Sequence, residues 1–152
     1  AGGVLGIIPI LGGSGPRPGF SFPFSLIFPT PAGNAINIAL TPDTGDQIVG
    51  AAQLSFTYSG LGTSQAVYAQ FVDDATGLVV GNNVTAIPVT LDGRERTVSV
   101  PLNDIAYTVG AGDSLTLQIT SWSSIFANAA IGLVNISDIE VDLPLRALPT
   151  LV

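Results

Sequence analysis

From about residue 35 onward, the chain alternates apolar and polar side chains with a period of two. This pattern is typical of a β-strand that buries one face and exposes the other. In the run SLTLQIT, we expect Leu115, Leu117 and Ile119 to face the core, with Thr116 and Gln118 facing outward. Similar runs occur at 53–59 (QLSFTYS), 66–72 (AVYAQFV), 86–91 (AIPVTL), 96–102 (RTVSVPL) and 139–143 (IEVDL).

Short segments rich in Gly, Asp and Asn separate these runs, as turns between strands do. The Asp92-Gly93 pair lies between two alternating runs and predicts a hairpin with a type I′ turn. No stretch has the periodicity of an amphipathic helix. The sequence therefore predicts an all-β fold, an antiparallel jelly-roll-like sandwich or a barrel, with one core.

The first 34 residues have a different texture, because they combine Gly and Pro with large apolar side chains and carry one charge, Arg17. We interpret 1–34 as an extended apolar arm and 35–152 as the sandwich domain. The longest apolar run, 4–11 (VLGIIPIL), is interrupted by Pro9 and is far shorter than the roughly 20 residues of a membrane-spanning helix. The sequence predicts no membrane span.

An exposed run of this kind would favour aggregation, so we expect it to be covered. Two arrangements remain open: the arm wraps its own sandwich, or it adds a strand to the sheet of a neighbouring copy. The second makes the partners other copies of the chain, in a homopolymer or filament. The predicted self-association residues are Val4, Leu5, Ile7, Ile8, Ile10 and Leu11.

Composition excludes many kinds of active site. The chain has no Cys and no His, and its four cationic residues are all Arg. Disulfides, zinc fingers, haem ligation, a Ser-His-Asp triad and a Schiff-base Lys are therefore impossible. A net charge of −7 disfavours nucleic-acid binding, which needs clustered cations. The lack of Lys and the start at Ala1 lead us to expect a secreted or cell-envelope protein processed from a precursor.

The segment 67–121, VYAQFVDDATGLVVGNNVTAIPVTLDGRERTVSVPLNDIAYTVGAGDSLTLQITS, resembles the C-terminal jelly-roll domain of X-Pro dipeptidyl-peptidases and cocaine-esterase-like hydrolases, especially actinobacterial members. The resemblance extends from about Asp46 to Pro144. In that family this domain packs beside an α/β-hydrolase domain that carries the catalytic residues. None of that domain is present, and the position where relatives often have Gly-His carries Asp113. The resemblance implies an accessory module or a sandwich with another role.

Several acidic residues are candidates for chemistry. Asp73 and Asp74 in DDATG are weak Ca²⁺ candidates, because Ca²⁺ prefers carboxylate oxygens. A solvated β-turn accounts for them more simply, and for Asp43 and Asp46 as well. Three further acids, Asp138, Glu140 and Asp142, fall on one strand face at period two. A solvated face that discourages edge pairing is a simpler interpretation of this row than glycosidase chemistry.

Trp122 is a candidate for stacking on a ligand such as a sugar, although packing over the end of the core is the commoner role of such a residue. Asn83 and Asn135 begin two glycosylation patterns, NVT and NIS. Charged residues at 94–96 are expected to keep the Asp92-Gly93 turn solvated.

We predict no cofactor and no enzymatic activity. The leading hypothesis is a secreted or cell-surface structural subunit that self-associates through its arm. The alternatives are an accessory module of an X-Pro-peptidase-like serine hydrolase, which would make a hydrolase catalytic domain the partner, and a carbohydrate-binding module.

Overall fold

The computed structural model of the chain describes residues 6–9, 31–32, 35–121 and 132–147. These parts contain strands, turns and one 3₁₀ turn, Val80–Asn82, and no α-helix. The strands are β1 Gly6–Pro9, β2 Ala35–Leu40, β3 Asp46–Gly50, β4 Gln53–Gly62, β5 Ala66–Asp73, β6 Leu78–Val79, β7 Thr85–Pro88, β8 Arg96–Pro101, β9 Ile105–Thr108, β10 Leu115–Thr120, β11 Gly132–Asp142 and β12 Leu145–Ala147.

The strands form two main antiparallel sheets. Sheet A has the order β1-β11-β4-β8, and sheet B the order β2-β10-β5, with β6 and β7 both pairing with β5. Because consecutive strands mostly lie in different sheets, the chain crosses the sandwich repeatedly. This is the strand order of a jelly roll, which confirms the predicted fold class. A smaller sheet, β12-β3-β9, completes the fold.

The inward faces of the two sheets form one hydrophobic core, as the alternation predicts. Leu115, Leu117 and Ile119 of β10 are fully buried. Phe56 of β4 is also fully buried, and its ring lies 6.1 Å from that of Tyr58. The predicted register of β10 is therefore correct. The same agreement holds for Leu54, Val67, Ala69, Phe71, Ile87, Val89 and Leu91.

The predicted hairpin at Asp92-Gly93 is wrong. The strand before it, β7, pairs with β5, and the strand after it, β8, pairs with β4, so this segment crosses between the sheets. Gly93 has a φ of 84°, but Asp92 does not have the positive φ that a type I′ turn requires. The Asp92 carboxylate instead accepts a hydrogen bond from the backbone N–H of Arg94. The hydrogen bond from Arg94 to the Asp92 side chain thus holds the backbone here, in place of the two-residue hairpin that the dipeptide favours.

The outer face of sheet B also differs from expectation. Tyr68, Gln70, Gln118 and Thr120 lie on the side away from the core, yet all are buried. The centre of the outer face of sheet B is therefore covered, whereas outward residues of its edge strands, such as Asn37 and Ala86, are exposed. Sheet A follows the simpler pattern, because the outward residues of its central strand β4, such as Thr57 and Ser59, are only partly buried.

Candidate interaction site at the edge of sheet A

The first strand, β1, forms one edge of sheet A and pairs there with β11. Gly6, Ile7, Ile8 and Pro9 lie opposite Ile136, Asn135, Val134 and Leu133, respectively. Two of the predicted self-association residues, Ile7 and Ile8, are thus in a strand on the chain's own sandwich. The other four, Val4, Leu5, Ile10 and Leu11, lie outside the described residues.

The local sequence suits this position. Ile7 and Ile8 are β-branched and favour extended backbone. Pro9 cannot donate a ladder hydrogen bond, and proline within sheets is confined largely to edges and strand ends. Since β11 pairs with β4 on its other side, β1 covers a backbone edge that would otherwise be open to another strand.

Two exposed leucines lie beside this edge on the outer face of sheet A. Leu61 and Leu133 face each other across β4 and β11 and are 68% and 56% exposed. Pro9 is the next position in the same row. Most surface leucines occur singly, so an adjacent pair next to an edge strand marks this corner as a surface suited to contact with another molecule.

Next to the leucines, the outer face becomes polar. Thr57, Ser59, Asn135 and Ser137 line a shallow depression of about 110 Å³, with Glu95 at its border. The Thr57 and Thr97 hydroxyls are 3.0 Å apart. The depression offers hydroxyls, one amide and one carboxylate, which can form hydrogen bonds, but none of its lining residues is a His, Cys or Lys that could activate a nucleophile.

The predicted row of three acids is broken by a β-bulge. Glu140 and Asp142 pair with Ser55 and Gln53, but the register shifts between Ser137 and Glu140. Asp138 lies in this shift with a φ of 50°, a left-handed conformation that Asp tolerates better than most residues. All three acids are exposed and Ile139 and Val141 pack against the core, as the solvated-face interpretation expects. The inserted residue, however, places Asp138 outside the strict period-two face that Glu140 and Asp142 share.

The carboxylates of the two weak Ca²⁺ candidates both accept hydrogen bonds within the protein. The Asp73 carboxylate accepts from the Ala75 N–H at 3.0 Å and the Thr76 hydroxyl at 2.9 Å. The Asp74 carboxylate accepts from the Ser114 and Thr116 hydroxyls at 2.7 and 2.8 Å. The Asp73 bonds fit the turn interpretation. The Asp74 bonds instead join this turn to the start of β10. Within the described ranges, no group of three or more acidic residues is placed to hold a metal ion.

The charged residues of the crossing segment form an exposed ion pair. Arg96 donates to both carboxylate oxygens of Asp92, at 2.6 and 2.8 Å. These bonds, with that from the Arg94 N–H, hold the pKa of Asp92 well below its ordinary value of 3.8.

Elsewhere, burial and the nearby Asp73 and Asp113 carboxylates raise the pKa of Tyr107 to about 12.

The two glycosylation patterns differ in their surroundings. The Asn83 amide donates to the Asp104 carbonyl at 2.8 Å, and its oxygen accepts from Asn103 at 3.0 Å. Asn135 is exposed on the outer face of β11.

Trp122, the candidate for ligand stacking, lies outside the described residues. The part of the chain that the structure describes contains no helix that is long and apolar enough to cross a membrane.

The sequence analysis missed one polar arrangement, centred on Gln118. Its side-chain oxygen accepts hydrogen bonds from the Ala32 N–H and from Gln70, each at 2.9 Å. Its side-chain nitrogen donates to the Ala32 carbonyl at 3.3 Å and to Asn37 at 2.9 Å. Period-two alternation assigns Gln118 to the outer face correctly, but it carries no information on whether another segment covers that face.

Comparison of the sequence with protein-family models finds no match. Comparison with curated proteins finds none either. Among solved structures, the fold is similar to an α-amino acid ester hydrolase labelled with selenomethionine, with 14% sequence identity and a TM-score of 0.45. The match covers 74% of this chain and 25% of the hydrolase chain. This chain therefore corresponds to about a quarter of that protein's length.

Proposed function

We propose that this chain is a non-catalytic structural subunit of the cell surface or extracellular space that self-associates by strand exchange. In this arrangement, β1 of one copy pairs with β11 of the next. The observation that carries the proposal is the position of β1, which is an edge strand held by a single partner strand. The register of Ile7 with Asn135 is the same whether the two strands belong to one copy or to two.

The chain has enough length for the exchange. Pro9 and Ala32 are separated by the 22 residues 10–31. An extended chain spans at most roughly 3.3–3.6 Å per residue, so this connection reaches roughly 75 Å. A domain of this size has a radius of gyration of about 15 Å. The connection is therefore long enough for β1 to reach the β11 edge of an adjacent copy.

Concentration determines which arrangement dominates. The backbone bonds between β1 and β11 are the same in both, so their energies cancel in the comparison. A strand that is tethered to its own domain has an effective concentration in the millimolar range. Exchange between copies should therefore increase as the protein approaches about 1 mM. Crowding at a surface, or folding of many chains together, has the same effect.

The composition of the chain supports the non-catalytic part of the proposal. The full sequence has no His, Cys or Lys to act as a base or a nucleophile of the usual kinds. The Asp73 carboxylate is occupied by hydrogen bonds within its turn, and the Asp74 carboxylate by the Ser114 and Thr116 hydroxyls. Large apolar side chains at the exposed corner, Leu61 and Leu133, fit a surface that contacts another protein.

Engineered cysteines test the exchange directly, because the natural chain has none. Directly opposed residues of an antiparallel pair have Cα atoms about 4.5–5.5 Å apart, within the range of a disulfide. We would make Ile7→Cys and Asn135→Cys as separate chains of different tag length. The chains are mixed in denaturant, refolded together at about 1 mM and oxidised. The expected product is a disulfide-linked heterodimer on a non-reducing gel.

A matched control replaces Asn135→Cys by Thr97→Cys. Thr97 lies on β8, three strands from β1, so its sulfur cannot reach Cys at position 7 within one sheet. The double variant Ile7→Cys/Asn135→Cys, refolded when dilute, should give a disulfide within one chain. The proposal is wrong if the mixed chains give no more heterodimer than the Thr97 control while the dilute double variant forms its internal bond.

Deletion of residues 1–13 provides a second test, read by light scattering and circular dichroism. We expect a folded sandwich that no longer self-associates. Large assemblies that persist after the deletion would show that another surface makes them. Loss of the fold would show that the arm is needed by its own sandwich.

The second candidate is an accessory module of an X-Pro-peptidase-like hydrolase, favoured by the sequence resemblance of 67–121, which spans β5 to β10. In that case the partner is a catalytic domain rather than another copy. Mass measured by light scattering on a sizing column distinguishes the candidates. A concentration-dependent homo-oligomer supports the first, whereas a monomer that binds a hydrolase domain supports the second.

A further inference from the structure

The side chain of Gln118 forms hydrogen bonds with the backbone of the residue at the end of the predicted arm. A carboxamide can accept two hydrogen bonds at its oxygen and donate two from its nitrogen. All four are made here: two to the backbone of Ala32, one with Gln70 and one with Asn37. Since Gln118 is only 7% exposed, its capacity is fully used inside the protein.

The two bonds to Ala32 have the form of a β-bridge. The Gln118 oxygen takes the place of a backbone carbonyl, and its nitrogen takes the place of a backbone N–H. The site therefore binds the main chain of residue 32 through its N–H and its carbonyl, and the small side chain of Ala32 is buried there. Gln70 and Asn37 hold the carboxamide in this orientation through the remaining two bonds.

An empty site would be costly. Without Ala32, one acceptor and one donor of a buried amide would lose their partners, and such groups are paired in nearly all native proteins. Ala32 is also tethered closely, because β2 begins at Ala35 and pairs with β10 along its whole length. Three residues span at most about 11 Å. Ala32 therefore cannot leave for a neighbouring copy unless β2 leaves with it.

From these observations we infer that Gln118 is the site at which the arm is fixed to its own sandwich. Strand exchange is then limited to the chain before Ala32, and residues from Ala32 onward stay with their own copy in every assembly. This inference rests on the proposed function for the exchange of β1. The fixation of Ala32 by Gln118 stands independently of it.

Hydrogen exchange of the Ala32 amide, followed by NMR on the full chain, tests the fixation. In the natural sequence we expect this amide to exchange at least about 100-fold more slowly than in an unstructured peptide, because it is buried and bonded. Gln118→Leu should remove most of this protection and leave that of β10 amides such as Leu117 in place. Asn37→Ala is the comparison: it removes one brace of the carboxamide and neither bond to Ala32, so it should reduce the protection of the Ala32 amide less than Gln118→Leu does.

A second variant keeps the test valid if Gln118→Leu does not fold. Ala32→Pro removes the N–H donor and also fixes φ at about −65°, whereas Ala32→Ser retains the N–H. We expect a lower denaturant midpoint for the Pro variant and a nearly unchanged midpoint for the Ser variant. Equal midpoints, or an unprotected Ala32 amide in the natural sequence, would overturn the inference.

The outcome separates the inference from the proposed function. A protected Ala32 amide with no heterodimer between the Ile7→Cys and Asn135→Cys chains refutes strand exchange but leaves the fixation intact. An unprotected Ala32 amide with abundant heterodimer refutes the fixation and leaves strand exchange intact. If the fixation and strand exchange are both correct, Ala32 should be equally protected in dilute protein and in the assembled sample.

Discussion

The β10 strand allows a sharp stability test, because neighbouring residues point to different environments. Leu117 is fully buried between the sheets. Thr116, one residue earlier, is partly exposed and donates a hydrogen bond to Asp74 at 2.8 Å. Truncation to alanine therefore removes core packing at Leu117 and one surface hydrogen bond at Thr116.

The expected magnitudes follow from these contacts. Leu117→Ala loses the transfer free energy of its side chain and leaves a cavity, which together cost about 2–5 kcal/mol. Alternation alone predicts a cost within about 0.5 kcal/mol for Thr116→Ala, as at ordinary surface sites. The bond to Asp74 raises this expectation, because a typical hydrogen bond contributes about 0.5–1.5 kcal/mol net.

Urea unfolding followed by far-ultraviolet circular dichroism measures both values. The two variants should share the slope of the natural protein, so that a change in midpoint reports stability alone. Asp74→Ala is the control for the hydrogen bond: it also removes the bond from Ser114, so it should cost more than Thr116→Ala, and the costs of the two changes should not add. Equal losses for Leu117→Ala and Thr116→Ala would show that the register of β10 is wrong.

Three further outcomes are expected. Gly60→Ala should destabilise the fold by about 1–3 kcal/mol in urea unfolding, because a Cβ at this position would overlap the Leu133 carbonyl of the neighbouring strand; Ser59→Ala, on the exposed face, should cost little. The phenol of Tyr107 should ionise with a midpoint near pH 12 in an ultraviolet absorbance titration. Because this pKa is raised, its contribution to stability is complete below the ordinary value of 10.0 and is lost as the pH rises towards 12, and Tyr107→Phe should remove that loss. Finally, the purified chain should hydrolyse neither activated esters nor X-Pro peptides; a turnover that a single substitution in this chain abolishes would refute the non-catalytic proposal.

Alternation predicted the core well because it depends on geometry within one strand. Leu115, Leu117 and Ile119 are buried wherever β10 lies in the sandwich, since successive side chains point to opposite faces. The same reasoning failed for Gln118, because burial of the outer face depends on a distant segment that crosses it. Ala32, 86 residues earlier in the chain, is part of that cover.

Turn prediction failed for a related reason. Asp92-Gly93 favours a hairpin locally, but β7 and β8 belong to different sheets. A strict period-two pattern likewise did not predict the bulge at Asp138, because one inserted residue leaves the apolar alternation on either side of it intact. For the interaction site, the apolar run 4–11 drew attention to β1, yet its partner β11 could not be identified without the sheet order. The division of the chain at residue 34 stays a prediction.

The pairing of β1 with β11 joins two strands that lie far apart in the order of synthesis. Leu133 is synthesised 124 residues after its partner Pro9. At rates of about 5–20 residues per second, β1 spends roughly 6–25 s outside the ribosome before its own partner exists. During this interval β1 can pair only with the β11 edge of another copy, such as a neighbour on the same messenger whose β11 is not covered by its own β1. The proportion of exchanged strands in newly made protein can therefore depend on the spacing of ribosomes as well as on the equilibrium between the two arrangements.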